Sequence, residues 1–264
     1  MNTTNSVMEP AARCNICGMQ SKLFDKAEIL RKYAVKYFRC AACGFVQTET
    51  PYWLEEAYSS AISRLDTGIL YRNLTTQRYT SAVLTLLYPE AKQSLDFGAG
   101  HGIFVRLMRD SGFDFFWYDL HATNDYAGGF EHQDDRTYDF LTSFEVLEHL
   151  VDPVAELTTM MSRSPNVLVS TQLLPHPTPK VSDWWYYCPT VGQHISFYTL
   201  EALRLIARRF GRNLLTNGSN HLFTTAPKSR ALFHLATSSW TAQIVNALCK
   251  RPSLIGSDFQ LMNR

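Results

Sequence analysis

The spacing of apolar and polar positions changes character along the chain. Residues 1–12 are polar and read as a disordered tail. Residues 13–48 show little apolar periodicity, and Pro51 then breaks the chain. Beyond it, 53–58 and 71–88 carry helical spacing, with Leu74, Val83, Leu84 and Leu87 available to one face and Pro89 as a stop. From Gln93 the pattern alternates between short buried runs and amphipathic ones. Residues 94–98 predict a strand and 103–109 a helix ended by Gly112. An aromatic strand follows at 113–120 and another strand at 138–144. Residues 153–162 predict a helix with Pro153 in its first turn, and 166–173 a strand. A helix over 200–210 ends at Gly211, and 213–216 and 221–225 are the last predicted strands. Strands alternating with helices predict an α/β fold: a mostly parallel sheet with helices on both faces. The domain reading is a tail (1–12), a small cysteine-bearing ribbon (13–48), a helical linker or lid (49–90), an α/β core (91–226) and a C-terminal tail of one or two helices (227–264).

Composition narrows the class. The 264 residues are 45% hydrophobic and 19% charged, enough for a sizeable core. The 25 Lys+Arg against 24 Asp+Glu leave a formal charge of +1, so no global basic field recruits nucleic acid or an anionic surface. No stretch nears the ~20 apolar residues of a membrane span. No export signal is visible, and a cytoplasmic protein is expected.

Residues 95–102 hold the most specific motif. Asp96 ends the strand, and Gly98, Gly100 and Gly102 follow at alternate positions. Glycine lets the backbone turn sharply and lets a ligand approach, while the next helix aims its N-terminal amides at the ligand. The dinucleotide fingerprint would need glycine three residues after Gly100, where Ile103 stands, and no P-loop lysine follows. A carboxylate before the glycines repels phosphates and suits a cation. Asp119, at the end of the next strand, is placed to accept from both hydroxyls of a ribose.

Four of the six cysteines form two Cys-x-x-Cys pairs, Cys14 with Cys17 and Cys40 with Cys43, each followed by glycine. Four thiolates in this pattern match a structural zinc with no position left open for catalysis. Cys188 and Cys249 have no partner pattern.

Residues 95–102 resemble the first motif of class I S-adenosylmethionine-dependent methyltransferases, and Asp119 resembles their ribose-binding acid. Residues 138–153, with the string Phe144-Glu145-Val146-Leu147-Glu148-His149-Leu150, resemble the fourth strand and following helix of one large branch of that family. The resemblance spans 94–225. It implies a Rossmann-like, seven-stranded, mostly parallel sheet with helices on both faces and S-adenosylmethionine as cofactor, with Phe144 and Glu145 beside it. The cysteine pairs and residues 192–198 resemble bacterial methyltransferases with an N-terminal zinc-binding domain, which act on nucleotide sugars or on sugars of surface polysaccharides and antibiotics. The partner implied is a small, sugar-containing molecule. The segment between Asp119 and Asp139 is short for a full helix plus a third strand; Gln133 and Asp134 are candidates to complete the adenine pocket.

Methyl transfer to a hydroxyl needs in-line positioning and gains from a general base. His149, just past the 138–144 strand, and His194, in a polar loop, are the candidate catalytic groups. His101 reads as a cofactor neighbour, and Tyr71 and Arg72 as residues that close over the cofactor carboxylate. In the sugar enzymes that the chain resembles, an acid neighbours the later histidine; here Gln193 stands there. The run Trp184, Trp185, Tyr186 and Tyr187, after a proline-rich stretch, offers planar faces for an acceptor. Two other functions fit parts of the pattern. One is methylation of a small aromatic or quinone-like acceptor. The other is a zinc-ribbon module that binds nucleic acid or protein, with an inactive methyltransferase fold; Lys22, Lys26, Arg31, Lys32, Lys36 and Arg39 would serve it, but the near-neutral charge and the intact glycine loop weigh against it.

Overall fold

The computed structural model describes residues 11–58 and 67–263. In chain order its strands are β1 (Ala11–Arg13), β2 (Gln20–Ile29), β3 (Tyr33–Cys40), β4 (Val46–Thr48), β5 (Gln93–Phe97), β6 (Asp114–Tyr118), β7 (Phe140–Phe144), β8 (Asn166–Ser170), β9 (Ser196–Phe197), β10 (Asn213–Thr216) and β11 (Asn220–Thr224). The helices are α1 (Leu54–Ala57), α2 (Ile69–Leu87), α3 (Ile103–Asp110), α4 (Pro153–Arg163), α5 (Leu200–Arg209), α6 (Arg230–Ala236), α7 (Ser239–Leu248) and α8 (Ile255–Met262). The chain divides into two compact units, each discontinuous in sequence.

The first unit draws on the N-terminal segment, 148–154 and 172–206. Its sheet is antiparallel, in the order β1-β2-β3-β4-β9. The β2–β3 hairpin turns at Leu30 and Arg31, with φ of 54° and 55°. Two consecutive positive φ values match the twist of the flanking strands, although neither residue is a glycine. Alternation along β3 buries Val35 and Tyr37, which pack with Val46, Trp53, Tyr187 and Phe197. Residues 172–206 were assigned to the core by their sequence. They belong to this unit because β9 pairs with β4, Val46 opposite Phe197, and buries Phe197 against Tyr37. Residues 1–10 of the expected tail lie outside the described residues, while Ala11 and Ala12 pair with Lys22 and Ser21.

The second unit holds a six-stranded sheet in the order β10-β11-β8-β7-β5-β6. Pairings among β6, β5, β7 and β8 are parallel; β11 runs antiparallel to β8, and β10 antiparallel to β11. Seven strands were expected and six form. Between Asp119 and Asp139 the chain makes only an isolated bridge, Trp117 to Glu131, because the segment is too short for a helix and a further strand. Phe104, Val105 and Met108 of α3 and Val83, Leu84 and Leu87 of α2 pack onto Phe115, Phe140 and Leu168. The C-terminal tail forms three helices rather than one or two. Asp258 of α8 anchors it: its carboxylate accepts at 2.7–2.8 Å from Arg106 and from buried Arg109. Arg109 also pairs with Asp114. These partners offset the cost of taking a guanidinium out of water.

Candidate functional site

Strand β5 lies between β6 and β7, so consecutive strands diverge to either side of it. This switch point opens a crevice at the carboxyl ends of parallel strands, where open α/β sheets bind ligands. A cleft of about 370 Å³ lies there, lined by Tyr79, Asp96, Gly100, Phe144, Glu145 and Asn220 among others.

The glycines shape its floor. A side chain on Gly98 would put Cβ 2.5 Å from Val146 Cγ2, and φ is +77°. On Gly102, where φ is +86° and α3 starts, Cβ would lie 2.8 Å from Asn124 Oδ1. Both positions therefore require glycine. Gly100 faces open space. Its amide donates to Asp119 Oδ2 at 2.8 Å.

Asp96 is buried, and Thr142 donates a hydrogen bond to its Oδ1. Burial pushes its carboxyl up to about 7; Thr142 pulls the other way and Asp119 adds to the rise. No cation contributes to the shift, so a buried carboxylate stands at the cleft without a positive partner among the described residues. Asp119 lies beside the cleft rather than in its wall. Its Oδ1 accepts from the amides of His121 and Ala122, so three of about four lone-pair sites are engaged. Gln133 and Asp134 are exposed and stand outside the cleft wall. His101 lines the cleft, with Nδ1 2.5 Å from Asp125. Tyr71 and Arg72 also line it.

Phe144 is wedged edge-to-face between Tyr79 and Phe104. Glu145 follows with φ of 55°. A non-glycine residue held there stores about 1–3 kcal/mol, and such strain collects at functional positions. Ser170 holds it from the next strand, accepting from the Glu145 amide at 2.9 Å and donating to Oε1 at 2.6 Å.

Thr142, Ser170 and Asn220 were not singled out in the sequence. Polar Thr142 and Ser143 inside an otherwise apolar buried strand are the signal that marks the first. Asn220 opens β11 directly opposite Ser170. The sequence placed the start of that strand one residue later, leaving Asn220 in the turn. It is 8% exposed, and its Oδ1 is buried without a hydrogen-bond partner among the described residues.

The first unit carries the remaining candidates. Cys14, Cys17, Cys40 and Cys43 converge, with sulfurs 3.6 Å (Cys14–Cys43), 3.5 Å (Cys17–Cys40) and 3.7 Å (Cys17–Cys43) apart. Metal–sulfur bonds of ~2.3 Å in a tetrahedron separate sulfurs by ~3.8 Å. Each pair sits on a turn in which the glycine amide returns to the first cysteine: Gly18 to Cys14 and Gly44 to Cys40, both at 2.9 Å. Their φ values near +70° explain the glycines.

His149 and His194 meet edge-to-face at 4.9 Å. His194 Nδ1 is 2.6 Å from the carbonyl of Tyr186, which fixes the proton on Nδ1 and leaves Nε2 as acceptor. Burial lowers its pKa. His149 Nδ1 sits 2.9 Å from the Tyr58 hydroxyl, and burial and His194 depress its pKa to about 3 despite a backbone hydrogen bond to Gln193. So weak a conjugate acid makes a poor base, and the structure corrects His149 from base to packed, positioned ring. The aromatic run needs a similar correction. Tyr186 and Tyr187 are core residues, and Tyr187 donates to the carbonyl of Pro179. Trp184 packs on both, which leaves Trp185 exposed. The loop folds back on the sheet because these side chains have more apolar area to bury than exposure would allow.

Among solved structures, the chain is similar to DesVI of Streptomyces venezuelae (12% identity, TM-score 0.46, 62% of this chain and 99% of that one). It is also similar to an O-methyltransferase family protein from Burkholderia thailandensis (15%, 0.47, 67% and 68%). A third is the magnesium protoporphyrin IX methyltransferase of Synechocystis PCC 6803 with bound SAH (13%, 0.42, 64% and 90%). No curated protein matches the sequence. The methyltransferase domain family matches residues 71–217, more than half of the chain and all of β5 to β8. The chain belongs to the methyltransferase domain family, and it is an S-adenosylmethionine-dependent methyltransferase.

Proposed function

We propose that the protein methylates a hydroxyl of a sugar carried on a nucleotide or on a surface-polysaccharide precursor, with S-adenosylmethionine bound in the cleft of the second unit and zinc held by the four cysteines. The observation that carries the cofactor placement is Asp96: a buried carboxyl with no cationic partner among the described residues suits a cationic ligand, and the glycines leave the backbone open to it. When bound, S-adenosylmethionine supplies an electrophilic methyl group. Asp96 balances the ligand's positive charge, Asp119 offers its remaining lone pair to a ribose hydroxyl, and Phe144 and Glu145 border the cofactor. His194, neutral and with Nε2 as acceptor, offers a proton-accepting atom to a hydroxyl. Zinc, closed off by four thiolates, ties the ends of the β2–β3 hairpin together and has no open position. The choice of a sugar rests on the likeness of the cysteine pairs and residues 192–198 to sugar methyltransferases.

Calorimetry with S-adenosylmethionine and S-adenosylhomocysteine, with zinc assayed on the same sample, tests the cofactor and metal. Micromolar binding and one zinc per chain are expected. Labelled-methyl transfer to a panel of nucleotide sugars then tests the acceptor. Transfer confined to aromatic phenols would overturn the sugar reading while leaving the cofactor site intact.

A further inference from the structure

Helix α7 of the second unit contains no charged residue. Its inner face, Ala242 and Val245, packs into the core shared with α2, and Asn246 Nδ2 donates to the Arg78 carbonyl at 2.8 Å. The outer face carries Trp240, Ile244 and Leu248 at helical spacing, exposed by 81%, 54% and 80%. A stripe of this kind on a helix already seated in the core is surplus to folding. On α8, Ile255 and Phe259 are exposed as well. The charges along this segment are mostly positive. Residues 227–263 hold four cations, Lys228, Arg230, Lys250 and Arg251, and one acid, Asp258. That acid is buried and spent on Arg106 and Arg109. Arg230 and Lys250 are exposed. Lys228 donates to the Leu87 carbonyl and Arg251 lies over the Phe113 ring, so Arg230 and Lys250 are the cations this segment offers to solvent. The helix packed beside α7 also exposes apolar side chains, Leu70, Tyr71 and Leu74, at the end that lines the cleft.

We infer that α7, with its flanking cations, is a docking surface for an anionic lipid bilayer, on which the enzyme lies without crossing it. An interfacial tryptophan, aliphatic side chains below it and cations free to meet acidic headgroups are the chemistry of peripheral attachment. No described helix is long and apolar enough to span a membrane, which agrees with attachment in the interface plane. The attachment itself is independent of the acceptor. Only its corollary, that the sugar is lipid-borne, rests on the function proposed above.

The test is flotation of the full chain with vesicles of phosphatidylcholine alone and of phosphatidylcholine with about one quarter phosphatidylglycerol, at low and high salt. Binding to the anionic vesicles that weakens with salt is expected. Trp240→Ser with Leu248→Ser should weaken it by about tenfold or more, and Lys250→Glu by several-fold. These residues lie outside the cleft, so S-adenosylhomocysteine affinity should not change, which also reports that the variants are folded. Equal partition of wild type and double variant, or no binding to anionic vesicles at low salt, overturns the inference. A dimer in light scattering that the double variant dissociates, without vesicle binding, overturns it in favour of a second copy of the chain. Loss of S-adenosylhomocysteine binding by the wild type would instead count against the cofactor site and leave the vesicle result standing.

Discussion

Thr142 Oγ1 donates a 2.7 Å hydrogen bond to Asp96 Oδ1 across two neighbouring parallel strands in which the two residues are register partners. It is the hydrogen bond that stabilises Asp96 as an anion, and burial outweighs it. The folded carboxyl titrates at about 7, above its ordinary 3.8. The protonated form is therefore favoured by folding, a contribution present below pH 3.8 and lost as pH rises through about 7. A cationic ligand reverses the preference. Binding of S-adenosylmethionine below pH 7 should release a proton, seen as a heat that depends on the buffer's ionisation enthalpy, and affinity should climb from pH 5 to 7 and then level. Thr142→Val should raise the carboxyl further and weaken binding at pH 7 by about tenfold, in proportion to one hydrogen bond to a charged group. Buffer-independent heat would remove Asp96 from the cation's partner role.

Asp119→Ala should weaken S-adenosylhomocysteine by about 1–3 kcal/mol. Because Asp119 also holds the amides of Gly100, His121 and Ala122, the same variant should lower Tm. Calorimetry and a thermal melt separate the effects: lower Tm with unchanged affinity would leave Asp119 as a brace for the glycine loop alone.

Gly98→Ala places a methyl against Val146 at a φ that L-residues avoid. A destabilisation of about 1–3 kcal/mol is expected, together with loss of cofactor binding as the loop shifts. A denaturant midpoint equal to wild type would show that the loop can yield.

Metal removal should act on the first unit. Chelation, or Cys40→Ser, should lower the zinc content and cost several kcal/mol of stability, because metal binding and folding are coupled. Tryptophan fluorescence should report it, since Trp53 is buried in that unit. Wild-type stability after complete demetallation would assign the thiols a different role.

The histidines predict opposite kinetics. His194→Ala should cut turnover far more than cofactor affinity, whereas His149→Ala should act mainly through stability. Folding favours the neutral ring of His149, at about 3, and of His221, at about 4. The stability this confers is present above pH 6.5 and drains away as pH falls towards 4, on the order of a few kcal/mol. An acid-unfolding midpoint unmoved by His149→Ala would contradict it.

The glycine loop at the cleft was legible in the sequence because it is local: Gly98, Gly100 and Gly102 all stand at positive φ, which glycine adopts freely. Asn220 was not, since its place opposite Ser170 depends on an antiparallel register that joins residues 50 apart in the chain. Tyr186 and Tyr187 were misjudged for a related reason. A proline-rich stretch looks exposed until the sheet it folds onto is known.

From sequence alone came the α/β alternation, the cysteine tetrad and the cleft's glycines and acids, all set by neighbours within a few residues or by spacing that chemistry makes specific. Tertiary structure decided the rest. β9 joined the N-terminal sheet, not the parallel one, because Phe197 gains more burial beside Tyr37. Asp96 titrates near neutrality because distant segments exclude water from it, and burial with His194 alongside depresses His149 to about 3. Burial and register are sums over contacts distant in sequence, and only the folded chain brings those contacts together.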